Sequence, residues 1–301
     1  MYNVETGVSN MNPRVVLFLV ALAGTGIWLR TLPLGSGTPL MAGWWPFARS
    51  ADVTLYFTDG PFLFPVTRRL PASADVPGAA LEALFEGPRA GSGLTSPVPL
   101  GLEVRSLAVE GGVARIDLSA DLVEGTWDRV GVETAILETM TSLPGVTSVE
   151  LSVGGHPSEG PRTRTPLLYY ASAEGLKAVP NPAMSAEAAV TAHMAGPPDA
   201  TLVGLPRDVR LAGYAYDNAD GVVSLDFTYT DSTRTLAIEK PDIMRSVLLG
   251  LVASLTELPG VQAVEIDFGG QSRLGLGECS DLLRTRQPRP RLLNDERLLG
   301  R

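Results

Sequence analysis

The residues from which reactive sites are built are nearly missing. In 301 residues there is one cysteine, Cys279, and there are two histidines, His156 and His193. A single thiol excludes an intrachain disulfide. Neither histidine stands at ligand spacing from another histidine, a cysteine or a carboxylate pair, which removes the common zinc arrangements. No Gly-x-Ser-x-Gly turn is present to raise a nucleophilic serine. Gly275-Leu276-Gly277 lacks the helix signature a dinucleotide site needs, and Cys279 has no histidine near it in sequence to activate it. Positive charge is also short, at 24 Lys and Arg against 33 Asp and Glu, a net of −9. A chain so acidic repels phosphate backbones, so nucleic acid is not a partner.

What remains is ordinary folding material. Hydrophobic residues make up 45% and charged residues 19%, the composition of packed domains rather than of a disordered chain. The positive charge is concentrated at the end. Residues 272–301 hold seven arginines against four acids, leaving −12 for the rest. With Pro288 and Pro290 interrupting the Arg284 to Arg291 run, this stretch is no continuous basic helix. It is read as a solvated, partly disordered tail. The functional alternative is docking on an anionic membrane or on the protein's own acidic body.

Near the other end, residues 15–29 carry no charge and lie between Arg14 and Arg30. Fifteen residues is short for a spanning helix, but flanking arginines snorkel and the next charge is Arg49. Trp28, Leu29 and Arg30 make a poor signal-peptidase site, so residues 14–30 are read as an uncleaved anchor, a cleaved signal being the competing reading. Met11 offers a second start with a shorter basic lead. The Gly- and Pro-punctuated residues 31–50 are read as a linker.

The rest of the chain repeats itself. Residues 143–155 (LPGVTSVELSVGG) and 258–270 (LPGVQAVEIDFGG) agree at eight of thirteen positions. Upstream, GVARIDLS from Gly112 matches GVVSLDFT from Gly221, Gly87-Pro88 matches Gly196-Pro197, and Leu55-Tyr56-Phe57 matches Leu168-Tyr169-Tyr170. Four matches in one order at nearly constant offset mean a duplication. Each copy reads β-β-α-β-β-α-β. Period-two alternation marks the return strands at Ala114, Ile116 and Leu118 and at Val223, Leu225 and Phe227. Helical spacing appears at Val132, Ile136, Met140 and Leu143, and again at Ile243, Val247, Leu251 and Leu255. Gly-Pro closes each first helix and Pro-Gly each second. The expected fold is α+β: two tandem modules, residues 51–157 and 165–271, joined by a linker at 158–164. Each is a mixed sheet with two helices on one face.

The best carboxylate candidates are Asp117 and Asp226, at matching positions in the two copies. They suit a general base or cation ligand, or equally a strand-end cap for a turn. Duplication of a structural residue explains their pairing, and Asp121 and Asp231 add too few oxygens for calcium. No catalytic, cofactor-binding or metal residue is therefore assigned, and no cofactor is expected. Arg68-Arg69, present in the first copy alone, reads as a solvated pair, with an anionic partner as the alternative.

Taken together, the Leu-Tyr-Phe opening, Arg68-Arg69, Glu86-Gly87-Pro88, the Leu94-to-Pro99 element (LTSPVP), the VARIDLS strand and Leu-Pro-Gly-Val resemble the GerMN domain family of sporulation and spore-germination proteins. The second copy lacks the arginine pair and shortens the LTSPVP element to LVGLP. The resemblance implies a non-catalytic, extracytoplasmic protein on a single-pass anchor. Its implied partners are envelope or sporulation proteins, or further copies of itself, with no small-molecule substrate. The family also occurs in wall-modifying contexts, which makes a cell-wall ligand-binding accessory module the alternative function. No lipidation cysteine follows the apolar run, unlike the lipoprotein members.

Overall fold

The computed structural model describes residues 50–71, 73–119, 128–157, 160–181, 185–269 and 276–300. The proposed anchor at 14–30, the linker at 31–49 and the segment 120–127 that holds Asp121 lie outside them. Residues 48–301 form one compact unit.

The first copy runs β1 (Ser50–Asp59), β2 (Phe62–Pro71), α1 (Val76–Glu86), β3 (Val104–Glu110), β4 (Val113–Leu118), α2 (Arg129–Thr141) and β5 (Ser148–Val153), with a two-residue β6 (His156–Pro157). The second runs β7 (Leu167–Ala171), β8 (Leu176–Pro180), α3 (Ala186–Ala195), β9 (Leu211–Asp217), β10 (Val222–Phe227), α4 (Asp231–Glu239), α5 (Pro241–Leu255) and β11 (Ala263–Phe268). Helix α4 has no counterpart among the helices expected from periodicity. A short 3-10 turn (Gly277–Leu282), β12 (Gln287–Pro288) and a second 3-10 turn (Glu296–Leu298) follow.

Local chemistry sets the helix ends. The carboxylate of Asp75 accepts from Gly78 N–H at 2.8 Å and that of Asp128 from Gly131 N–H at 3.0 Å. Ser185 and Thr230 cap α3 and α4 in the same way at 3.2 Å. Such caps satisfy amides that the helix leaves free. Gly87 and Gly196 end α1 and α3 at φ 84° and 91°, a conformation that strains any side chain.

Each module's last three main strands form its own sheet. Order is β3-β4-β5-β6 in the first and β12-β11-β10-β9 in the second, with β4–β5 and β10–β11 parallel. The opening hairpins do something else. They leave their own modules' sheets and combine into a shared antiparallel sheet, β1-β2-β8-β7. Alternation along β1 then serves two cores. Val53, Leu55 and Phe57 pack with α1 and α2, while Tyr56 joins Leu167, Tyr169, Leu176, Ala178, Ala253 and Leu293 in a seam between the modules. In β7, Leu168 and Tyr170 face the second core and Leu167 and Tyr169 the seam. Helix α5 approaches β7 so closely that a Cβ on Gly250 would meet Tyr169 O at 2.5 Å.

The arginine-rich end is not a solvated tail. Leu276, Cys279, Leu282 and Leu283 are buried in the second module's core. Beyond them β12 pairs with β11, and Arg284 and Arg286 meet Asp267 and Glu265 on that sheet at 3.0 and 3.2 Å. Residues 293–299 then cross onto the first module. The reading as docking on the protein's own acidic surface is the one this geometry matches. Sparse leucines with no helical period concealed the burial.

This strap completes the shared sheet. Strands β2 and β8 pair only at Leu63 and Ala178. The two-fold relation between the copies asks for a second rung at Leu176 and Pro65, but proline has no N–H. The Asn294 side-chain amide takes its place. Its Oδ1 accepts from Leu176 N–H at 2.8 Å, and its Nδ2 donates to Pro65 O at 2.6 Å and Leu176 O at 2.9 Å. Asn294→Leu strands these backbone groups in a dry site and is expected to cost about 2–3 kcal/mol. Urea unfolding of the variant with an unchanged midpoint would contradict that account.

Candidate functional site

Two concentrations of polar side chains stand out, one where the modules meet and one where the strap seats on the first module. The first is the seam. Tyr56 and Tyr169, equivalent residues of the two copies, touch hydroxyl to hydroxyl at 2.9 Å. Their amides donate to equivalent hydroxyls: Tyr56 N–H to Thr139 at 3.2 Å, and Tyr169 N–H to Ser254 at 2.8 Å. One position breaks the symmetry. Ser142 of the first copy donates to Thr54 O, but its counterpart is Glu257, which accepts from the Tyr169 hydroxyl at 2.5 Å. Glu257 also pairs with Arg164 from the inter-module segment and with Arg289 from the strap. Arg164 in turn lies 3.3 Å from Glu138 of α2.

Burial dominates the titration of the two tyrosines and of Glu138. Burial pushes the Tyr56 phenol up to about 12, with the Glu257 charge adding to it, and holds the Tyr169 phenol well above its usual range as well. It pushes the Glu138 carboxyl up to about 7 against the pull of Arg164. His193 lies next to the seam with Nε2 2.9 Å from the Ser254 hydroxyl and its ring against Tyr170. Burial drives its pKa down to about 4, so it is neutral. Its ring points into the core instead of to water.

The second concentration is the strap's seat on the first module. Arg68 is 8% exposed, not solvated as its sequence context suggested. Its Nε and Nη2 donate to the Glu296 carboxylate at 2.7 and 2.5 Å. Behind it, Nη1 and Nη2 donate to Ala83 O and Gly87 O at the end of α1. Arg89 adds its backbone N–H at 3.1 Å and its guanidinium at 3.2 Å to the same carboxylate. Arg69, by contrast, is exposed and pairs with Asp52. Sequence reasoning missed this site because 228 residues separate Arg68 from Glu296.

Asp117 and Asp226 are not brought to either place. The Asp117 carboxylate accepts from the Ser152 hydroxyl at 2.7 Å and from Gly155 N–H at 2.9 Å, and these bonds hold its carboxyl below the usual carboxylate range. Asp226 accepts from Gly269 N–H at 2.9 Å. Both cap a turn, though it is the one after the neighbouring parallel strand and not the one after their own. Cys279 is buried with Sγ 3.4 Å from Pro241 O. Among the described residues no group of three or more His, Cys, Asp or Glu could hold a metal ion. None of the described helices is long and apolar enough to cross a membrane. A groove of about 440 Å³ lies on the outer face of the second module's sheet, lined by Tyr214, Asp226, Glu265, Asp267 and Arg284 among others.

The geometry defines a tandem-repeat α+β protein whose buried polar clusters join its own parts. The chain belongs to the Germane family, described as sporulation and spore germination, whose model matches residues 54–159 and 167–273. Among solved structures, it is similar to the tandem GerMN domains of the sporulation protein GerM from Bacillus subtilis. The match has 20% identity and a TM-score of 0.61, over 82% of this chain and 99% of that one. The first GerMN domain of the same protein alone matches at 21% identity and a TM-score of 0.33, over 38% of this chain and 98% of that one. No curated protein matches. The first of these likenesses shows that the tandem arrangement is a shared fold.

Proposed function

We propose that the protein is a non-catalytic assembly component of the cell envelope, anchored through residues 14–30, with its tandem modules outside the membrane in a sporulating or germinating cell. The observation that carries this reading is the inward use of polar groups. The two modules are joined through a shared sheet, a buried charge cluster and a strap into one compact unit. The surface left to work with includes the open edges of β3 and β9, one per module. Strand edges left unpaired among the described residues suit pairing with another protein or another copy. The cell-wall alternative draws less support, since the groove on the second sheet has Tyr214 as its single aromatic side chain and no residue from the first module.

Deleting the gene in its host should impair sporulation or germination. A chain carrying Val109→Lys and Ala215→Lys, both exposed on the open edges, should reproduce the defect while melting like wild type. Normal spore formation and outgrowth in the deletion strain would end this reading.

A further inference from the structure

The seat of the strap has the features of a receptor built before its ligand arrives. Arg68 is held from behind by Ala83 O at 3.0 Å and Gly87 O at 2.8 Å, and it lies over the Phe57 ring at 5.7 Å. All of these belong to the first module, so the guanidinium stays aimed whether or not the strap is present. Two donors from Arg68, the backbone N–H of Arg89 and the charge of its guanidinium converge on one carboxylate that is 3% exposed. Charge-assisted, bidentate recognition of this kind is both strong and selective for geometry. Next to it, Thr67 N–H donates to Asn294 O at 2.7 Å, and Leu293 N–H donates to the Thr67 hydroxyl at 3.2 Å. The ligand is thus a bent segment that enters a 3-10 turn at Glu296, read at two side chains, an asparagine and a glutamate two residues later.

The second module has no such site. Strand pairing places Phe64 opposite Phe57 and Lys177 opposite Tyr170, which makes Asn181 the counterpart of Arg68 and Pro180 that of Thr67. Pro198 stands where Arg89 does, following the matched Gly-Pro pairs. The receptor is therefore an addition to one copy and not a property of the repeated fold. Its occupant is tethered to the second module through Arg289, which pairs with Glu257. Between β12 and the seat, Arg289 to Leu292 cross from module to module, with Pro288 and Pro290 stiffening the passage. Leu292 and Leu298 flank the buried residues and remain 44% and 63% exposed.

We propose that the cleft formed by β2, β8 and the end of α1 is a peptide-binding site for an Asn-x-Glu segment that turns at its glutamate, filled in cis by residues 293–299 and open to the same segment of a second copy. Exchange of one identical element between protomers needs no new contact, only a hinge that lets the segment reach across. In a dilute chain the tethered strap wins by its high effective concentration, and crowding many copies together shifts the balance toward exchange. The site stands on its own geometry and does not depend on the envelope reading.

The test uses two full-length variants, Arg68→Glu and Glu296→Arg, each of which sets like charges against each other in its own clasp. Alone, each should sediment as a monomer. Mixed in equal amounts they should form a one-to-one dimer, since each strap then meets an opposite charge in the other's cleft. A mixture that stays monomeric while both chains show native circular dichroism overturns the proposal. Should either variant fail to fold, a labelled peptide spanning residues 290–300 is titrated into full-length Glu296→Gln. Saturable binding is expected, weakened at least about thirtyfold when the peptide carries the same Glu296→Gln change. Absence of saturable binding there overturns it equally.

Discussion

Glu257→Ala should lower the stability of the folded chain by about 3–5 kcal/mol, because it leaves two guanidinium groups facing each other in a closed seam. Glu257 is 1% exposed and is the anion shared by Arg164 and Arg289, which are 20% and 35% exposed. It also receives the Tyr169 hydroxyl, whose other neighbour is the Tyr56 hydroxyl. Removing the carboxylate therefore takes a partner from three groups, Tyr169 of the second module, Arg164 of the inter-module segment and Arg289 of the C-terminal stretch. The Coulombic part of that loss grows as water is excluded. The same reasoning sets a control. A chain with Glu257, Arg164 and Arg289 all changed to methionine removes the charges together and should lose far less than Glu257→Ala alone, since well-packed apolar side chains often replace a buried ion cluster at little cost. Denaturant unfolding separates the cases. If the single variant unfolds within about 1 kcal/mol of wild type, the seam is wetter than the geometry shows, and its charges carry little of the union between modules.

The duplication explains why so much of the fold could be read from the sequence. The Leu-Pro-Gly-Val segments, the alternating return strands and the amphipathic second helices are local signals, and each occurs twice, so a weak pattern in one copy is supported by the other. What failed was everything that joins the copies. Register between β2 and β8 leaves no trace in either strand, because a one-rung pairing at Leu63 and Ala178 imposes no periodicity. Asn294 repairs a gap caused by Pro65, yet an asparagine in a proline-rich, arginine-rich stretch reads as turn or tail. Arg68 looked solvated because its sequence neighbours are polar or charged, while the group that buries it comes from the far end of the chain. Helix α4 was missed for another reason. Thr230 gives it a good cap, but only Leu236 and Ile238 supply large apolar side chains, and Ile238 faces water. Duplication also misdirected the search for a site. Asp117 and Asp226 drew notice by matching, whereas the residues with the most unusual surroundings, Glu257 and Arg68, are those that differ between the copies. In a doubled fold the departures from symmetry are the places to look.

Two such departures set the response to pH, and they oppose each other. Glu138, whose counterpart is Ala253, has a folded pKa of about 7 against 4.5 for the free side chain. A raised carboxylate pKa means the folded state keeps a proton that the unfolded chain gives up. The stabilisation is thus complete below 4.5 and disappears as the pH climbs through 7, a swing of about 3 kcal/mol. His193 behaves in the reverse sense. Its folded pKa of about 4 lies below the free value of 6.5, so the unfolded chain gains a proton that the buried ring refuses. Stability is complete above 6.5 and is lost as the pH falls through 4, again by about 3 kcal/mol. Across pH 4.5 to 6.5 the two slopes have opposite sign and similar size, and the wild-type chain should show little dependence on pH there. Glu138→Gln removes the falling limb and should expose a stability that rises with pH through this window. His193→Gln should expose the opposite slope, and the double variant should be flat. The groups around Glu138 that could blur the result are Arg164, Arg289 and Glu257, and the arginines stay charged throughout. Urea midpoints at intervals of half a pH unit would reveal the slopes. Parallel profiles for wild type and Glu138→Gln would mean that Glu138 reaches water and that the seam between the modules opens on its own.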